Sequence, residues 1–162
     1  MALTLMELKG AAEEWLVACT IATEVPPRAK GDWTDDMVGP AIRAVCEVVQ
    51  NRADSAGFPD TPLGVVLAIK QFSGVLRGLT LGQVGHRDIW LDAVQSNWYP
   101  DHVARCLTIW RKRKELPMTV DGATHYYSPV SMIPKGKVPS WAIEMHEVSL
   151  PGVDPHFFRW FR

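Results

Sequence analysis

Two adjacent prolines, Pro26 and Pro27, fix where the first element of this chain must stop. Proline lacks the N–H that a helix interior uses, and it pushes the preceding residue out of helical dihedrals. Upstream, Leu5, Leu8, Ala12, Trp15, Leu16, Cys19 and Ala22 recur at steps of three and four, the period of a helix with one apolar face. Thr4 and Glu7 have the spacing of a capping box at its start. These residues predict a helix over 4–24 that ends near Val25, with Glu24 in its last turn.

A carboxyl group in that position has two reasons to hold its proton. The C-terminal end of a helix is the negative end of its dipole, and burial among apolar side chains disfavours the ionised form. Both effects suit a general acid working near neutral pH. Position alone does not assign that role, because glutamates in last turns are common and inert.

Further along, residues 26–39 are polar and rich in turn formers, and read as a loop with at most a short helical turn near Thr34. A second helix is expected from about Gly39 to Ala53, with Pro40 in its first turn and Ile42, Val45, Cys46, Val48 and Val49 as its core stripe. Thr61 and Pro62 read as the cap and first residue of a short helix over 62–69. The stretch 70–90 is Gly-rich and irregular, and helical pattern returns over 87–96 and 100–114, the latter with Val103, Cys106, Leu107 and Trp110. From residue 117 onward, prolines at 117, 129, 134, 139, 151 and 155 leave room only for short extended runs, with strands expected at Ile143–Leu150 and His156–Phe161. The whole of 1–162 reads as a single α+β domain, mainly helical, with a small C-terminal β region.

The net charge of −1 supplies no global field for nucleic acid. The basic run Arg111–Lys114 reads as the solvated end of a helix, where the dipole favours cations. Cys19, Cys46 and Cys106 are odd in number and lie in apolar helical patterns, so free buried thiols are expected, with no CxxC pair for zinc or redox chemistry. Charges at Glu7, Lys9, Glu13 and Glu14 interrupt any signal-peptide core, and no apolar stretch reaches membrane-spanning length. The expectation is a monomer made in a cytoplasm, without stable membrane insertion, cofactor or metal.

The order of short motifs carries more. Ile21-Ala22-Thr23-Glu24 is followed by Val48-Val49-Gln50-Asn51-Arg52, Gln71-Phe72-Ser73, Gly122-Ala123-Thr124-His125-Tyr126-Tyr127, Pro139-Ser140-Trp141-Ala142 and His156-Phe157-Phe158-Arg159. In this order the series resembles the SleB-type cell wall hydrolases of spore cortex-lytic enzymes and phage lysins. The resemblance implies a lysozyme-like fold, peptidoglycan as partner, and Glu24 as the catalytic acid. It also implies a lytic transglycosylase, which breaks the bond from N-acetylmuramic acid to N-acetylglucosamine and leaves a 1,6-anhydro sugar. Such an enzyme acts on the wall after release from the cytoplasm or as a virion component. Gln71, Phe72 and Ser73 would line the cleft, although a helix-end Gln and a core Phe fit those residues equally well. Tyr126 or Tyr127 would reach Glu24 or stack on a sugar, one of the pair facing inward by strand alternation. Trp141 would pack the cleft wall or a subsite. Asn51 and Arg52 read as anchors for the following loop, and His156 as structural.

The segment after Glu24 departs from the family pattern. Val25-Pro26-Pro27-Arg28 stands where a second Glu is usual, Arg28 taking that place. Asp32, Asp35 or Asp36 can supply a second carboxylate, which would make a hydrolase of lysozyme type, although a solvated acidic loop is the plainer reading. Two other classes stay open. One is a zinc-dependent wall amidase or endopeptidase built from His125, His146 and His156 with Glu144 or Glu147, for which no HExxH spacing exists. The other is a wall-binding virion module without activity.

Overall fold

The computed structural model describes residues 5–27, 32–68 and 99–162. Its architecture is α+β and mainly helical, with a small sheet near the C-terminus. Helix α1 runs Leu5–Glu24, α2 Asp35–Ala53, α3 Pro62–Leu67 and α4 Tyr99–Lys112. Strand β1 (His125–Tyr127), a 3-10 turn (Pro129–Ser131), the short helix α5 (Ser140–Glu144), β2 (Glu147–Val148) and β3 (Arg159–Phe161) follow.

The helices form because their apolar residues share faces. Val17, Ala18, Ile21 and Ala22 of α1, Val38, Ile42, Val45 and Val49 of α2, and Val103, Cys106 and Trp110 of α4 are all buried in one core. Helix α1 lies chiefly against α4, and both touch α2. The first helix stops where the prolines require. Val25 N–H still reaches the Ile21 carbonyl at 3.0 Å, and Pro26 has no N–H to continue the series.

Helix α2 begins at Asp35, earlier than expected, so Pro40 sits inside it. Extended Thr34 precedes it, and Asp35 and Asp36 occupy its first turn, where carboxylates meet the positive end of the dipole. Burial of Val38 and Ala41 offsets the bond that Pro40 cannot make. Helix α3 is capped as expected: Thr61 Oγ1 accepts from Gly64 N–H at 3.1 Å, and Pro62 fills the first position.

The C-terminal strands are shorter than the sequence suggests. Residues 140–144 are helical, with Ile143 three-quarters exposed, so the expected strand Ile143–Leu150 shrinks to Glu147–Val148. Asp154 winds the chain ahead of β3 into a turn. Its side chain accepts from His156 N–H at 2.8 Å and its carbonyl from Phe157 N–H at 2.9 Å, the local bonding by which Asp favours turns. Only Arg159–Phe161 is therefore extended. The sheet is antiparallel in the order β1-β3-β2, with Tyr126 opposite Trp160 and Tyr127 opposite Arg159.

One face of α2 fastens this sheet to the helices. Glu47 accepts from the backbone N–H of Thr119 and Val120 at 2.7 Å each. Asn51 Nδ2 donates to the Ala123 carbonyl at 2.8 Å, and Arg52 Nε to the Thr124 carbonyl at 2.6 Å. Asn51 and Arg52 thus hold the entry to β1, 72 residues on, as well as the loop that follows them: Ser55 Oγ donates to the Asn51 carbonyl at 2.6 Å, and the Arg52 guanidinium lies 5.5 Å from the centre of the Phe58 ring.

Candidate active site

Glu24 sits where the helical layer meets the sheet. The Tyr126 hydroxyl donates to its Oε2 at 2.8 Å. Strand pairing decides which tyrosine does this. Tyr126 shares its face with Trp160, 5.1 Å between ring centroids, and points toward α1. Tyr127 lies on the opposite face, stacked on Phe161 and edge-on to Trp141, and its hydroxyl accepts from Arg159 at 3.0 Å. Trp141 belongs to this second cluster, with His125 5.1 Å away. Of the sequence candidates, the structure brings Tyr126 to Glu24 and sets Tyr127 and Trp141 behind the sheet. Gln71, Phe72 and Ser73 lie outside the described residues, as does Arg28.

Burial first, and then the neighbouring Glu24 charge and hydrogen bond, push the Tyr126 hydroxyl well above its ordinary pKa. The hydroxyl therefore holds its proton more firmly than that of an ordinary tyrosine and donates to the Glu24 carboxyl. Arg52 is buried within electrostatic range of both Tyr126 and Glu24, so its positive charge acts on the pair.

A second contact fixes the backbone behind Glu24. His102 of α4 is 5% exposed, and its Nε2 lies 2.6 Å from the carbonyl oxygen of Val25. A carbonyl only accepts, so Nε2 carries the proton. The bond satisfies one of the carbonyls that a helix end leaves without a partner.

Glu24 opens onto a cleft of about 440 Å³. The α1–α2 connection supplies Pro26, Asp32 and Trp33, the segment after β1 supplies Ser128, Val130, Ser131 and Lys135, and the turn before β3 supplies His156, Phe157 and Phe158. Trp33 is buried, edge-on to Phe157 at 5.2 Å, and its indole N–H has no hydrogen-bond partner among the described residues. Aromatic faces beside small polar groups suit a sugar ring, which offers flat C–H surface and hydroxyls together. Asp32 shares the cleft with Glu24, while Asp35 and Asp36 belong to the first turn of α2. Trp33 and Lys135 escaped sequence reasoning, and His156, read there as structural, lines the cleft, since only tertiary packing brings these distant segments together. The ordered motif ending His156-Phe157-Phe158 was the one available signal. Among the described residues no three His, Cys, Asp or Glu side chains converge as metal ligands, and His125 and His156 stand on different sides of the sheet.

The family model for cell wall hydrolases matches residues 40–158. The chain belongs to that family. No curated protein and no solved structure matches it. Peptidoglycan is therefore its substrate at the level of the family. The matched segment holds Arg52, His102, Tyr126 and the far walls of the cleft, and starts after Glu24, so the place of Glu24 beside them rests on the geometry above.

Proposed function

We propose that this cell wall hydrolase cleaves the glycan strands of peptidoglycan as a lytic transglycosylase with a lysozyme-like site, Glu24 acting first as acid and then as base. The observation that carries this reading is the Tyr126–Glu24 hydrogen bond at the head of an aromatic cleft. Protonated Glu24 gives its proton to the glycosidic oxygen as the bond to C1 of N-acetylmuramic acid breaks. The resulting carboxylate then takes the proton of the C6 hydroxyl, whose oxygen closes onto C1 and leaves a 1,6-anhydro ring. The attacking group is already tethered to the sugar, so one carboxyl group serves both steps and no water needs positioning. Tyr126 holds the carboxylate in place between them.

Asp32 supports a second reading. It lines the same cleft, and an inverting or retaining hydrolase needs a second carboxylate to activate water or form a covalent intermediate. Mass spectrometry of digested sacculi separates the two: anhydro-muropeptides carry the transglycosylase reading, reducing-end muramic acid the hydrolase one. Freed stem peptides would overturn both. Glu24→Gln keeps the side-chain shape and loses the acid, and should abolish either glycan product. The setting we propose with this activity, a lysin reaching the wall on release or in a virion, rests on the family resemblance.

A further inference from the structure

The cleft walls differ in charge. Glu24 and Asp32 come from the end of α1 and the connection after it, and Lys135 comes from the segment after β1. Lys135 pairs with no carboxylate among the described residues. Its backbone is held in place: Lys137 N–H bonds the Pro134 carbonyl at 3.0 Å, closing a turn around it, and Gly136 N–H bonds the Pro129 carbonyl at 3.0 Å. Gly136 has φ 81°, a conformation that glycine adopts without steric cost. This turn holds the backbone from which the exposed Lys135 side chain lines the cleft.

A peptidoglycan strand carries its charge unevenly. The N-acetylated sugar rings are neutral, and the carboxylates hang from the lactyl group on O3 of the muramyl residue. They belong either to the stem peptide or, once the peptide is removed, to the lactyl group itself. Asp32 on one wall repels such a group, and a cation on the other attracts it. We propose that Lys135 binds the carboxylate borne on the muramyl side chain. It thereby selects muramyl over plain N-acetylglucosaminyl residues and orients the strand so that its neutral sugar backbone faces Glu24. This inference rests on the proposed glycan substrate, and concerns binding rather than the cleavage step.

The test is a calorimetric titration with soluble peptide-free glycan strands, either native or with the lactyl carboxylates converted to methylamides. Wild type, Lys135→Met and Lys135→Arg are compared, with folding checked by circular dichroism. An ion pair in an open cleft is modest, so amidation should weaken wild-type binding about fivefold. Lys135→Met should already bind native strands about fivefold more weakly and show no further loss on amidation. Lys135→Arg should follow wild type. Stem-peptide carboxylates are tested by repeating the comparison with peptide-bearing strands; a Lys135 effect confined to those names the stem as the source. Equal binding by Lys135→Met and wild type on both substrates, equal sensitivity of the two to amidation, or no binding at all would overturn the inference. Cleavage of sacculi is scored separately. Carboxylate-dependent binding without glycan cleavage would leave the Lys135 assignment standing and remove the transglycosylase reading.

Discussion

Tyr126 donates to Glu24 Oε2 across 2.8 Å, from a strand 102 residues further along the chain. The bond exists because Asn51 and Arg52 clamp residues 123 and 124, and because β3 sets the register that turns Tyr126 rather than Tyr127 toward α1. Hydrogen bonds to charged groups are worth about 1.5–3 kcal/mol, so Tyr126→Phe should lower kcat on sacculi by roughly one to two orders of magnitude. KM should change little, since the lost contact is to Glu24 and not to substrate. Because burial and the Glu24 charge raise the phenol pKa, the wild-type rate profile should contain no tyrosine limb below about pH 10. Turbidity assays across pH check both points. An unchanged kcat would remove Tyr126 from the mechanism.

Behind Glu24, His102 works as a neutral donor. Burial, its first cause, lowers its pKa, with Arg105 adding to the lowering and the Val25 bond opposing it. A folded-state value below the unfolded one of about 6.5 means that the folded chain binds fewer protons than the unfolded chain in acid. Stability is then complete above the unfolded value and falls as pH drops through it. Urea unfolding of wild type and His102→Gln, whose amide N–H can still reach the carbonyl, should show the variant about 1 kcal/mol less stable at pH 7.5. The gap should narrow or reverse at pH 5. A constant gap across that range would show that His102 does not titrate differently in the two states.

The distinction between what the residues announced and what they concealed is one of range. The end of α1, the Thr61 cap and the buried thiols depend on neighbours a few positions away, and periodicity reads them directly. Pro40 misled because its cost is local while the burial that offsets it, at Val38 and Ala41, is tertiary. The strand expected at His156–Phe161 was cut short by the Asp154 turn, which competes with pairing in a way that apolar alternation does not report. At the site, helix period and prolines placed Glu24 at a helix end, the ordered motifs alone suggested its role, and the tyrosine pair was named without a choice between them. The choice between Tyr126 and Tyr127 needs the register with Trp160, and Lys135 and His156 enter the cleft only once the segments flanking the sheet fold back.

Glu47 holds the start of that fold-back. It is buried, and accepts from Thr119 N–H, Thr119 hydroxyl and Val120 N–H, while Arg43 lies at 3.9 Å. Glu47→Ala would leave two inward-pointing backbone donors without an acceptor, each worth about 1–3 kcal/mol. The expected loss is about 3 kcal/mol, which for a chain of this size lowers Tm by about 6–12 °C. Calorimetry measures it directly. Since residues 119–124 lead into β1, the same variant should lose activity at temperatures well below its own Tm, and a variant with full activity up to Tm would show that the clamp does not position Tyr126.

The three thiols set the alkaline side of stability. Cys19, Cys46 and Cys106 are free and almost wholly buried. Burial pushes Cys19 up to about 11 and Cys106 to about 12, and raises Cys46 as well. An unfolded thiol ionises near pH 8.5. A group whose folded pKa is raised adds stability that is complete below the unfolded value and is lost as pH climbs through the folded one. Between about pH 9 and 11 the unfolded chain sheds thiol protons that the folded chain keeps, at a cost of up to about 1.4 kcal/mol per pH unit for each thiol. The slope of unfolding free energy against pH should therefore steepen above pH 9, and Cys106→Ala should reduce it by one thiol's share after correction for the cavity measured at pH 7. The same burial makes the native thiols inert to a disulfide reagent at pH 8, with all three reacting in denaturant. Rapid labelling of any one of them in the folded enzyme would mean that this part of the core opens to solvent without global unfolding.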